Sequence, residues 1–229
     1  MKNENELRKE KAIRNSKIKK ILYVVVPIAL FGWAIWYSQG VKSENNAILP
    51  EILTIKSDDH KKGAPNGKVV LVEYLDFECE ACGAFYPLLK QLQKDFPEDL
   101  TIVNRYFPLP GHKNGMTSAL AVEASARQGK FYEMHDILFE NQGSWGEKGL
   151  ADPTMFIPFA QTIGLDIEKW KTDMNDPSVK QRVERDVKEG TILGNTGTPS
   201  FYLQGKKMEG VKNYDDLKMR IQTEIDKLK

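Results

Sequence analysis

The sequence predicts an α/β domain interrupted by a block of helices and carried behind a membrane-spanning N-terminal helix. Three observations lead there. The expected elements run β-α-β, then several helices, then β-β-α, so two separated halves must build one sheet. A charge-free run, Ile21 to Tyr37, follows a basic tail. The only two cysteines, Cys79 and Cys82, sit where the first long strand gives way to a helix.

The composition suits a globular chain: 229 residues, 41% hydrophobic and 28% charged. The net charge of +1 is uneven, because residues 1–20 carry eight basic side chains against three glutamates. The remainder is mildly acidic and shows no basic, aromatic-laced face, which argues against nucleic acid as a partner. Two cysteines cannot form a disulfide framework, so core burial must hold the fold.

Residues 1–20 read as a basic cytoplasmic tail and 21–38 as a transmembrane signal-anchor helix. The apolar run spans roughly 25 Å as a helix. Trp33, Trp36 and Tyr37 lie at its distal end, suited to the headgroup layer, and Lys17, Lys19 and Lys20 keep the other end inside. A cleaved signal peptide is the rival, with Ser38-Gln39-Gly40 as small residues near a cut, although bulky Trp36 and Tyr37 adjoin it. A buried core helix is a third reading, opposed by the lysines. Anchor and signal both imply a single-pass or exported chain with its domain outside the cytoplasm, where disulfide chemistry operates. Residues 39–66 read as a polar linker, with a short edge strand expected at Leu53–Ile55.

The domain is expected over 67–229. Val69–Leu75 is almost continuously apolar, as in a strand buried on both faces. Phe85, Leu88, Leu89, Leu92 and Phe96 then recur at helical spacing, with Pro87 expected to kink that helix. Leu100–Phe107 reads as a second strand. Thr117–Gln128 is an alanine-rich helix closed by Gly129, and Phe131–Glu140 is another. Asp152-Pro153 and Asp176-Pro177 pair an N-cap with a first-turn proline, predicting helices near 153–163 and 177–193, with a short one over Asp166–Met174 between them. Pro158 should disturb the first of these. Strands at Ser200–Leu203 and Lys206–Glu209 join through Gln204-Gly205. Asn213 or Asp215 caps a last helix bearing Leu217, Ile221, Ile225 and Leu228.

The cysteine pair admits several chemistries. Structural zinc needs four ligands, and His60, His112 and His135 are isolated in sequence. Copper carriage by a lone pair is a second chemistry, and two inert buried thiols are a third. Position favours redox chemistry. At a strand-to-helix junction the Cys79 sulfur meets unpaired N–H groups and the positive end of the helix dipole, which stabilise the attacking thiolate. Cys82, one turn on, lies on the same side and can resolve a mixed disulfide. No cofactor is required. Glu73 interrupts the apolar strand. Facing inward it would be a protonated acid able to exchange a proton with Cys82, and at the strand end it would simply reach solvent. Spacing alone leaves both open.

With these residues in hand, Leu53 to Leu228 resembles the DsbA-like thiol–disulfide oxidoreductases of the thioredoxin superfamily, particularly the membrane-tethered kind. The likeness rests on VEYLDFECEACGAFYPLL, on PLPGH (Pro108–His112), on QGKFYEMHDILFENQ (Gln128–Gln142) and on GTPSFYL (Gly197–Leu203). It implies a thioredoxin fold with an inserted helical domain over about 112–193. It implies Cys79 as nucleophile, Cys82 as resolving cysteine, Glu73 as the buried acid, and Pro199, preceded by Thr198, as a cis-proline beside the pair. The backbone before that proline is expected to pair with extended substrate. Implied partners are unfolded or partly folded cysteine-containing proteins and a membrane-bound redox recycling partner. One departure matters: Glu80-Ala81 separates the cysteines where strong oxidases of the family often carry Pro-His. A nearby glutamate repels a thiolate, so these two redox-tuning positions predict a less oxidising pair than in the strongest oxidases. His112 and Trp145 are candidates to border the active-site groove, with solvated-loop and core-packing roles expected for each ahead of that.

Overall fold

The computed structural model describes Val26, residues 30–33, 51–149 and 152–228. The predicted basic tail, nearly all of the membrane helix and the linker up to residue 50 lie outside these residues. Val26 and residues 30–33 are helical and exposed. Among the described residues no helix is long and apolar enough to cross a membrane.

The folded unit is Ile52–Lys229. Its sheet has the order β1-β3-β2-β4-β5: β1 His60–Gly63, β2 Val69–Leu75, β3 Leu100–Tyr106, β4 Ser200–Leu203 and β5 Lys206–Lys207. β2 and β3 are parallel, and the other pairs are antiparallel. A parallel pair needs a crossover, which α1 (Glu80–Asp95) supplies. That helix runs uninterrupted through Pro87 and buries Cys82, Tyr86, Leu89 and Leu92 along one stripe.

Alternation along β2 sorts the core. Val69 and Leu71 pack with Leu89, Leu92, Leu100 and Ile102 under α1 and the C-terminal helix α8 (Tyr214–Asp226). Val72 and Tyr74 face the opposite layer with Val103, Phe107 and Tyr202. Glu73 therefore points to the α1 side, level with Asn104 on β3 and Phe201 on β4. Between β3 and β4 the chain inserts α2 (Gly115–Ala126), α3 (Phe131–Glu140), α4 (Gln142–Trp145), a 3-10 turn at Pro153–Phe156, α5 (Ile157–Thr162), α6 (Ile167–Met174) and α7 (Pro177–Ile192). Asp152, Asp166 and Asp176 each cap the following element through a side-chain oxygen. These helices share a core with Phe77, Cys82 and Tyr86, so the insertion packs directly against the strand-to-helix junction.

The structure corrects several local expectations. No strand forms at Leu53–Ile55; the edge strand is β1, seven residues later than Leu53, and the fold begins earlier than residue 67. The cause is a buried ion pair. Arg105 of β3, with no side-chain exposure, grips Asp59 through Nη2–Oδ2 at 2.7 Å and Nε–Oδ1 at 3.1 Å, and also donates to the Thr54 carbonyl at 2.8 Å. This ties 52–59 to the sheet although its sequence is mostly polar. Gly63 then turns the chain at φ +95°, where a Cβ would stand 2.4 Å from the Leu100 carbonyl oxygen. The helix expected from Thr117 begins at Gly115, and the helix expected over 153–163 is split into a 3-10 turn and α5, with Pro158 in the first turn of α5. β5 stops at Lys207, and Asn213, not Asp215, caps α8 by accepting from the Asp216 N–H at 3.1 Å.

Candidate active site

Cys79 is the N-cap of α1, in an extended conformation with φ −69° and ψ 119°. Its own N–H donates to the Asp76 carbonyl at 3.1 Å, and the N–H of Gly83 returns to the Cys79 carbonyl at 3.1 Å. The amides of the first turn are thereby left facing the sulfur. Both cysteines are free thiols. Cys79 is 8% exposed and Cys82 1%, so only the first sulfur touches solvent.

The two thiols are driven apart electrostatically. The pKa of Cys79 falls to about 5. The largest cause is a hydrogen bond donated by the Cys82 thiol; burial opposes it, and the Thr198 side chain and the amides of Cys82 and Ala81 assist. Cys82 is pushed well above an ordinary thiol, first by burial, then by donating to Cys79, then by the charge of Glu73. Thr198 serves the pair twice. Its carbonyl accepts from the protonated Cys79 Sγ at 3.3 Å. Its hydroxyl is buried without an oxygen or nitrogen partner among the described residues and stabilises the anion instead. The Thr198–Pro199 peptide is cis. A groove of about 390 Å³ runs beside it, lined by Phe85, Thr198, Pro199, Phe201, Met208 and Val211.

Glu73 is 2% exposed. Burial raises its pKa to about 8 against the opposing hydrogen bond from Asn104 Nδ2, which lies 2.7 Å from Oε2. Of the two readings open in the sequence, the buried one is the one found. A cavity of about 20 Å³ adjoins both Glu73 and Cys82 and reaches Lys62, Lys90 and Gln93 nearer the surface. That volume is enough for one water. Glu80 and Ala81, the intervening pair, are both exposed. Among the described residues no group of three or more His, Cys, Asp or Glu side chains is placed to hold a metal.

Of the further residues at the site, the sequence singles out His112 and Trp145 but not Gln142, Glu78 or Asp76. Gln142, from α4 of the insertion, donates through Nε2 to the carbonyls of Phe77 and Cys79, both at 2.8 Å. Gly83 makes room for it, since a Cβ there would stand 2.2 Å from Gln142 Oε1. Glu78 is buried and accepts from the N–H groups of Asn114 at 2.6 Å and Glu147 at 3.0 Å, binding two insertion loops to the junction. Asp76 accepts from the N–H groups of Glu78 and Leu109 and meets His112 Nδ1 at 2.6 Å. Gln142 and His112 each end a family-like motif, QGKFYEMHDILFENQ and PLPGH, which is the signal the sequence carries for them. Trp145 is core, with its Nε1 donating to the Leu138 carbonyl at 2.9 Å.

A thiolate-stabilising helix start, a resolving thiol beneath it, a buried acid and a cis-proline define a thiol–disulfide exchange site on a thioredoxin fold. The thioredoxin family profile Thioredoxin_4 matches residues 56–223. The chain belongs to the thioredoxin family. Among solved structures it is similar to a thioredoxin-like oxidoreductase from Silicibacter pomeroyi DSS-3, with 26% identity and a TM-score of 0.63 over 76% of this chain and 93% of the other. The α-DsbA1 of Wolbachia pipientis shares the fold at 21% identity, with a TM-score of 0.69 over 79% and 99% of the two chains. The Na(+)/H(+) antiporter NhaA of Herminiimonas arsenicoxydans is 34% identical over 85% of this chain, but this chain spans only 30% of that relative's length.

Proposed function

We propose that the protein is an extracytoplasmic oxidase, held to the cell membrane by its N-terminal segment, that introduces disulfides into secreted or surface proteins through Cys79 and Cys82. The single observation carrying the direction is the separation of the two thiols, Cys79 near 5 and Cys82 well above 9. A cysteine this stable as an anion is a good leaving group and a poor partner in a disulfide, which favours giving the disulfide away.

The chemistry follows from the geometry. A client thiolate attacks Cys79 Sγ of the enzyme disulfide; the S–S bond breaks and Cys82 departs with the electron pair. Glu73, protonated at neutral pH, passes its proton to the departing Cys82 sulfur, and its cavity admits the water that reprotonates it. The client is now joined to Cys79. Its second thiolate attacks the client sulfur of that bond, releasing Cys79 as the stabilised thiolate. The client loses two electrons, the enzyme gains them as a dithiol, and a membrane-bound recycling partner removes them. The client's extended backbone lies in the groove at Thr198 and Pro199, where apolar Phe85, Phe201 and Met208 stand beside polar Ser200, Lys207 and Glu209.

The same residues run in reverse in a reductase or isomerase, and a non-catalytic chaperone-like module would use the groove alone. Oxidation of a reduced, unfolded protein separates these. Wild type in disulfide form should transfer its disulfide stoichiometrically and Cys79→Ser should transfer none, whereas reduced Cys82→Ser, offered a client that carries a disulfide, should hold the covalent adduct formed when the Cys79 thiolate displaces one client sulfur. Peptide binding with no disulfide transfer by wild type would overturn the proposal.

A further inference from the structure

We propose that His112, on the loop between β3 and α2, is a positioning residue for the nucleophile: fixed by buried Asp76, its ring supplies beside Cys79 the positive charge that Glu80-Ala81 lacks. The inference rests on the oxidoreductase reading and adds to it a source of thiolate stabilisation remote in sequence from the cysteine pair.

The argument begins with Asp76, whose side chain has no exposure. It stands three residues before Cys79 and joins two segments. Its backbone carbonyl accepts the Cys79 N–H at 3.1 Å. Its Oδ1 accepts the Glu78 N–H at 2.9 Å, its Oδ2 the Leu109 N–H at 2.8 Å, and the same Oδ2 faces His112 Nδ1 at 2.6 Å. One carboxyl group thus fixes the turn that presents the sulfur and the loop that presents the imidazole. Burial pushes the Asp76 carboxyl up, while its bonds from Leu109, Glu78 and His112 oppose the shift; an imidazolium opposite it supplies the counter-charge that a buried carboxylate needs.

His112 is suited to carry it. Its side chain is 30% exposed, so the second ring nitrogen can exchange protons with solvent. Burial alone would lower the ring's pKa, but the hydrogen bond and charge of Asp76 outweigh it, and Cys79 and Glu78 act in the same direction. The charged groups around the ring are therefore Asp76 and Glu78 from the loop after β2, Cys79 at the start of α1, and Lys113 on its own loop, whose ammonium reaches Gly149.

Coupling of this kind is reciprocal: by as much as the imidazolium lowers the Cys79 pKa, the thiolate raises that of His112. A residue that merely staples the loop has no such signature. The first test uses the wild-type protein alone, following the His112 ring by NMR against pH in the dithiol and disulfide forms. The midpoint should lie roughly half to one unit higher in the dithiol form, a three- to tenfold effect. The second test follows Cys79 alkylation against pH in His112→Gln and His112→Lys. His112→Gln should raise the Cys79 pKa by that same roughly half to one unit and make the enzyme three- to tenfold less oxidising against glutathione, about 15–30 mV. His112→Lys, which keeps a positive charge, should recover at least half of both effects. Equal ring midpoints in the two redox forms overturn the inference, whatever the variants do. A low wild-type Cys79 pKa left unchanged by His112→Gln overturns it as well, and leaves the oxidoreductase reading standing. A wild-type Cys79 that titrates near 9, as an ordinary thiol does, overturns both.

Discussion

Replacing Glu73 with glutamine should remove a pH-dependent penalty from the fold. The folded protein holds the Glu73 proton with a pKa of about 8, whereas the unfolded chain releases it near 4.5. For this group the native state binds the proton more tightly. Its contribution to stability is therefore fully present below pH 4.5, is lost as pH rises toward 8, and is level above that. Within the window the slope is about 1.4 kcal/mol per pH unit, so roughly 3 kcal/mol is lost between about pH 5 and pH 7. Glutamine has no proton to release, and its carbonyl can still accept from Asn104. Urea unfolding of the reduced wild type and Glu73→Gln at pH 5, 7 and 8.5 measures the difference directly. The variant should gain on wild type by about 3 kcal/mol from pH 5 to pH 7 and by little more beyond pH 8. Any fixed offset from packing cancels, because the slope is what is read. A stability difference constant with pH would refute the buried acid and return Glu73 to a solvent-reaching role.

Further outcomes follow from the same geometry. Glu73→Gln should also slow the step in which Cys82 gains or loses its proton by about a hundredfold, seen as slower decay of the mixed disulfide in stopped-flow quenching. Gly83→Ala and Gln142→Ala both release the carbonyls of Phe77 and Cys79 and should each cost about 1–3 kcal/mol in chemical unfolding; combined, they should cost little more than the worse of the two. Arg105→Met removes the closer guanidinium from buried Asp59, leaving Arg182 at 3.7 Å, and should cost about 3 kcal/mol near neutral pH. Burial would raise the Asp59 pKa, but Arg105 and the Lys56 amide outweigh it and hold it below 3.8. That part of the stability is present above 3.8 and lost as pH falls through the folded value, so the gap between wild type and Arg105→Met should close in acid unfolding.

Much of this fold was written in one-dimensional patterns. β2 was legible because both its faces are buried, which leaves an unbroken apolar run at Val69–Leu75. α6 and α7 were legible because each opens on a capping aspartate, and Asp176-Pro177 marks its start twice. The cysteine pair announced itself by lying between strand and helix. What escaped depends on partners distant in sequence. β1 is His-Lys-Lys-Gly, a polar edge strand with alternate residues half-buried, and no hydrophobic period marks it. Asp59 looks like a solvated linker residue until Arg105, 46 positions later, covers it. Gln142 opens a short helix of the insertion and His112, named from the sequence only as a groove-border candidate, sits on a loop; the packing of the insertion against the helix start brings them to Cys79 and Asp76. Glu73 was visible as an anomaly, but its direction was set by which face of β2 meets α1.

The central claim is the unequal ionisation of the two thiols, and rapid alkylation of the reduced protein against pH, with the modified cysteine located by mass spectrometry, tests it most directly. Cys79 should become reactive with a midpoint near pH 5 while Cys82 stays silent beyond pH 9. Two sulfurs reacting together near pH 9 would contradict the account.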